Sequence, residues 1–110
     1  MITAIIYRRE EKIYGFQISG HAGYAQEGED IVCAAVSVLA LNTTNAIEAF
    51  TQEPLQAEAD MEDNGFLKVM IPLEGAADHD AQLLLRTLEL GLSGIENEYK
   101  QYLTLIHKEV

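Results

Sequence analysis

Residues 19–40 read SGHAGYAQEGEDIVCAAVSVLA, and the change of pattern inside this stretch sets the architecture of the chain. Up to Ser19 the residues are β-branched and aromatic, as in strands. Glycines at 20, 23 and 28 then break any periodicity and allow dihedrals that other residues avoid, so Gly20 to Glu29 reads as a mobile loop. Asp30 is an acceptable helix N-cap, and a helix is expected from there to about Phe50. Ten of the eleven residues from Ile31 to Leu41 are apolar, so its first three turns have no wet face. Such a helix must be covered on more than one side, by a sheet and by another helix or a second subunit.

Working outward, Ile2–Arg8 and Lys12–Ser19 read as a hairpin around the polar break RREE. Tyr14, Phe16 and Ile18 alternate with Gly15, Gln17 and Ser19, which gives the second strand one apolar face. Beyond Pro54, LQAEADMED and NGFLKVMIPL form a second hairpin, with Asn64-Gly65 as a favoured two-residue turn. Leu67, Val69, Ile71 and Leu73 alternate with Phe66, Lys68, Met70 and Pro72. From Asp78 to Lys100, Leu84, Leu88, Leu92 and Ile95 recur at helical spacing, weakened locally by Gly91 and Gly94. The closing YLTLIHKEV reads as a strand. The expected fold is an α/β two-layer sandwich of two helices on one mixed sheet of about five strands, in the order ββα-ββα-β. Hairpins in place of regular βα alternation disfavour a doubly wound nucleotide-binding fold.

The 110 residues suit a single domain, with 48% apolar and 23% charged residues as in a globular protein. Eighteen acidic residues against seven Lys and Arg give a formal charge of -11. Direct binding to nucleic acid is disfavoured, because phosphate neutralisation needs a basic patch and Arg8-Arg9 is the only basic pair. The acidic field favours a basic partner or serves solvation alone. A single cysteine makes no internal disulfide. ITAIIY is too short for a signal-peptide core, and IVCAAVSVLAL is too short to span a membrane, so a soluble cytoplasmic protein is expected.

The chemistry concentrates on His21 and Cys33. At the start of a helix, unpaired N–H groups and the helix dipole favour a thiolate, which is the reactive form of cysteine. His21 ends the strand before that helix, and the intervening loop is long enough to fold the imidazole back to the sulfur. Against this stands a plain alternative, Cys33 as a small buried hydrophobe and His21 as an ordinary loop residue. Asp30 either caps the helix or orients His21. Ser37, one turn beyond Cys33, either serves the site or bonds back to the Cys33 carbonyl. A phosphate cradle is disfavoured by Glu27, Glu29 and Asp30 and the lack of a lysine. His79 and His107 are too scattered for a zinc site and read as surface or strand residues. The acidic residues between 58 and 63 mark a solvated edge. No metal or cofactor is expected.

The motif GHAGYA followed by GEDIVCAAVS resembles the ribosomal-processing cysteine protease family Prp. The resemblance implies a bacterial, homodimeric endopeptidase that cuts a short N-terminal extension from the precursor of large-subunit ribosomal protein L-twenty-seven after a phenylalanine-containing sequence. It also implies His21 as general base and Cys33 as nucleophile, with Asp30 and Ser37 supporting. The oxyanion is then expected on backbone N–H groups at the helix start, and the Gly20–Gly28 loop is expected to order on substrate. Two other classes remain open on sequence. One is a non-enzymatic ribosome-associated or peptide-binding protein with a structural Cys33; the other is a thiol-dependent hydrolase or acyltransferase of small molecules.

Overall fold

The computed structural model describes residues 1–21, 23, 25, 30–60, 65–74 and 78–110. Along the chain run β1 (Ile2–Arg9), β2 (Lys12–Ser19), α1 (Ile31–Phe50), β3 (Gln56–Asp60), β4 (Phe66–Met70), α2 (His79–Glu98) and β5 (Leu103–Glu109). The expected order ββα-ββα-β is therefore the observed one. All five strands form one sheet in the order β3-β4-β2-β1-β5. Every neighbouring pair is antiparallel except β1 and β5, which run parallel and make the sheet mixed. Ala4, Ile6, Phe16, Ile18, Leu67, Val69 and Leu103 join residues of both helices in a single buried cluster. Burial of this apolar surface, at about 25 cal/mol per Å², is the main force holding the layers together.

The β1–β2 register shifts at Tyr7/Arg8, so that Gly15 pairs with Tyr7 while Ile13 pairs with Arg8. Tyr14 is the extra residue of this bulge, and simple alternation along β2 does not hold through it. Ile13 thereby enters the core at 1% exposure. Gln82 of α2 fastens the irregular point, accepting from Ile13 N at 2.9 Å and donating through Nε2 to Ile13 O at 2.8 Å. The second hairpin is present, but its strands end at Asp60 and Phe66. The expected two-residue turn at Asn64-Gly65 falls on a connection in which residues 61–64, Asn64 among them, lie outside the described residues. Leu73, expected to extend the β4 alternation, is 52% exposed because the strand ends at Met70. All five β3 residues are exposed, as expected of a solvated edge.

In α1, Val32, Val36, Ala40 and Ile47 face the core at helical spacing. Thr43 and Thr44 are buried too, and their hydroxyls donate to Leu39 O and Ala40 O at 2.7 and 2.8 Å, which removes the cost of unpaired polar groups. The apolar run thus belongs to a 20-residue helix, the one described helix long and apolar enough to cross a bilayer. Its inward side chains belong to the core shared with the sheet.

The opposite face of α1 is exposed in the single chain: Ile31, Val38 and Leu41 are 52%, 66% and 45% exposed, with Ala34 and Ala35 exposed between them. Only a flank is covered by α2, where Gly91 lets the helices approach so closely that a β-carbon there would stand 2.9 Å from Leu39 Cδ1. The buried stripe of α2 is Ala81, Leu85, Leu88 and Leu92, with Leu84 and Ile95 half-buried at its margins. The expected stripe of Leu84, Leu88, Leu92 and Ile95 is therefore rotated toward Leu85.

Candidate active site

The strand β2 ends on Gly20 and His21, and neighbouring backbone fixes both. Gly20 N donates to Gly65 O at 3.1 Å, tying the strand exit to the start of β4. Gly20 sits at φ 90, and a β-carbon on it would lie 2.6 Å from Met1 O, so no other residue fits without rearrangement. The Met1 ammonium donates to His21 O at 2.6 Å. Gly65, at φ 54, faces the imidazole so closely that a β-carbon would stand 3.0 Å from His21 Cε1. His21 is solvent-exposed, yet it is placed by β1, β2 and β4 together. Gly23 takes φ 72, the left-handed region. Gly28 lies outside the described residues, with Glu27 and Glu29.

On the other side, Asp30 is the N-cap of α1, with Oδ1 accepting from Val32 N and Cys33 N at 3.0 Å each. The cap sets the first turn of the helix and therefore the position of Cys33, which is half-buried. Ala34 N donates to Asp30 O at 3.1 Å. Three N–H groups at the helix start are thus committed to Asp30. An oxyanion at this turn, as expected, competes with Asp30 for the Val32, Cys33 and Ala34 N–H groups.

His21 and Cys33 line the same cavity, of about 120 Å³, together with Ser37 one turn along α1. Its remaining wall is apolar, built chiefly from Ile2, Ile18, Val36 and Leu67. The structure thus brings His21, Cys33 and Ser37 together and places Asp30 beneath them as the cap. Sequence reasoning missed two contributors. Gly65 reads from sequence as a turn residue, and only the end of β2 reads as leading to the site; the sheet order that sets the starts of β1 and β4 beside it is non-local. Among the described residues no three His, Cys, Asp or Glu side chains gather as a metal site. His79, at the start of α2, is paired with its neighbour Asp80, and His107 of β5 is bonded to Glu89.

A sequence profile described as "Cysteine protease Prp" matches residues 1–104. The chain belongs to the Prp family of cysteine proteases. The Bacillus subtilis ribosomal processing cysteine protease Prp is 36% identical over 107 residues, covering 94% of each chain. The essential ribosomal processing protease Prp of S. aureus, solved with a covalently linked product peptide, superposes with a TM-score of 0.90 at 32% identity, over 98% of this chain and all of that one. The same S. aureus protease with a substrate peptide gives a TM-score of 0.84 at 31% identity, with the same coverage. The Prp-family resemblance noted in the motif around His21 and Cys33 therefore extends through the whole fold.

Proposed function

We propose that this Prp-family cysteine protease removes the N-terminal extension of the ribosomal protein L-twenty-seven precursor, cutting after a phenylalanine-containing sequence, with Cys33 as nucleophile and His21 as general base. One observation carries the assignment of residues: Cys33 is the only cysteine in the chain, and it shares its cavity with His21. A cysteine protease needs a thiolate, and no other residue here supplies one.

The chemistry follows from that pair. Cys33 Sγ attacks the scissile carbonyl carbon, the C–N bond breaks, and His21 gives the departing amine its proton. His21 then takes a proton from water, whose oxygen attacks the thioester; the C–S bond breaks, the peptide leaves as a carboxylic acid that gives its remaining proton to solvent, and Sγ returns as thiolate beside the protonated His21. The oxyanion forms at the start of α1, where it competes with Asp30 for the Val32, Cys33 and Ala34 N–H groups. Asp30 supports the site as the cap, and Ser37 supports it as the polar group of the wall. That wall is otherwise apolar, which suits an aromatic side chain beside the scissile bond. The expected ordering of the Gly20–Gly28 loop on substrate falls largely on residues that lie outside the described ones.

Two further parts of the reading concern partners. The active form is a homodimer that covers the bare Ile31, Val38 and Leu41 face of α1. The charge of -11 speeds encounter with a basic ribosomal protein. Both fit work in the cytoplasm, where ribosomal proteins are made. No membrane or direct nucleic-acid contact is part of the reading.

Incubation with a peptide spanning a phenylalanine-ended extension, read by mass spectrometry, tests the substrate. A single cut after the aromatic sequence, lost when phenylalanine is replaced by alanine, is expected. Equal cutting of the alanine peptide removes the substrate assignment.

A further inference from the structure

A second concave site lies at the other end of the sheet, between α2 and the ends of β1 and β5. It is an open cleft of about 520 Å³ whose lining includes Arg8, Arg86, Glu89, His107 and the leucines 83 and 90. Ile2 borders the His21–Cys33 cavity and Arg8 borders this cleft. Arg8 lies six positions beyond Ile2 along β1, about 20 Å at the rise of a strand. The two sites share no residue.

Three observations give the cleft a chemistry. First, it holds two of the chain's three arginines in a protein of formal charge -11, so it stands out as a cationic spot on an acidic body. Second, those charges are incompletely used. Glu89 Oε2 accepts from His107 Nε2 at 2.7 Å, while the Arg8 guanidinium lies 3.6 Å from the same oxygen, beyond a hydrogen bond. Arg8 Nε is buried and has no acceptor among the described residues, while the side chain as a whole is 36% exposed and so is partly open to a carboxylate. Third, Leu83 and Leu90 are 50% and 74% exposed. At positions three before and four after Arg86, they flank its guanidinium on one face of α2. Apolar anchors around an arginine are the composition of a protein-binding hot spot, and a small anion has no use for them.

We infer that the α2–β5 cleft is a docking site for an acidic, leucine-bearing segment of a protein partner, with a carboxylate on Arg8 and Arg86 and apolar side chains over Leu83 and Leu90. Complementary charge favours this occupant. A basic ribosomal protein is repelled from the same spot, so the partner is not the substrate, and the site joins the protease to something else.

Amide chemical-shift mapping of the full protein tests the inference, with an acetylated, amidated peptide of alternating glutamate and leucine pairs as probe. Saturable shifts confined to α2 and the end of β5 are expected at peptide concentrations below about 1 mM, the range of a weak specific contact. Arg86→Glu, at an exposed position, is expected to weaken binding about tenfold or more while leaving peptide cleavage unchanged. A glutamine-for-glutamate probe is expected to bind far more weakly. The inference is overturned by no saturable shift, by equal binding of the neutral probe, or by the same shifts with inorganic phosphate or a short RNA. It is also overturned if the cleft residues shift with protein concentration alone, which assigns the face to a second copy of the chain.

Discussion

The His21 imidazole stands against Gly65: a β-carbon there would lie 3.0 Å from Cε1 and 3.2 Å from Nε2, and 2.8 Å from Gly20 O at the strand exit. A residue at the entry to β4, remote in sequence from the His21–Cys33 motif, thus helps decide where the proposed base stands. Gly65→Ala should displace the ring and lower kcat/KM about tenfold or more, because misplacing a catalytic group by fractions of an ångström is expensive. The φ of 54 adds a stability loss of roughly 1–2 kcal/mol for a residue with a β-carbon. Unchanged cleavage by a folded Gly65→Ala protein would remove Gly65 from the site.

Asp30 serves the site through the helix it caps. Asp30→Ala leaves Val32 N and Cys33 N without their acceptor and should cost roughly 1 kcal/mol in urea unfolding. Asp30→Ser keeps an oxygen at the cap and should restore most of that stability. Cleavage rate should follow the same order if capping is the whole role of Asp30. Stability recovered by serine with activity still lost would show a direct part for the carboxylate.

How far the sequence reaches is clearest at these two residues. The β-branched and aromatic runs of β1 and β2, the apolar run after Asp30 and the helical spacing of Leu88 and Leu92 are local patterns, so element order and strand count are legible from them. The cap at Asp30 is local too. Gly65 against His21 is not, because it depends on β4 pairing with β2, a non-local contact that leaves no periodic signature. The bulge at Tyr14 escapes for a related reason: alternation predicts a regular strand, and only the partner strand reveals the extra residue. The bare face of α1 shows that an apolar helix demands cover without saying which molecule supplies it.

Gln82 is a buried polar side chain that satisfies both main-chain groups of Ile13. Gln82→Leu keeps the volume but leaves a buried N–H and C=O unpaired, and should destabilise the fold by roughly 2–4 kcal/mol. Denaturant unfolding measures this directly. A loss below about 1 kcal/mol would mean that water or a backbone shift replaces both bonds.

The exposed face of α1 makes its own prediction. Val38→Glu, at a position 66% exposed in one chain, should leave the protomer folded and shift sedimentation from dimer to monomer. A dimer that persists with unchanged affinity would place the interface elsewhere.

The central claim is that Cys33 carries the chemistry. Its most direct test is mass spectrometry of the wild-type protein and the Cys33→Ala variant, each incubated with the same precursor peptide. The account predicts a single cut by the wild type, a transient acyl adduct on the peptide carrying Cys33, and neither in a variant with unchanged circular dichroism. Cleavage retained in Cys33→Ala would contradict it and return Cys33 to the wall of the cavity.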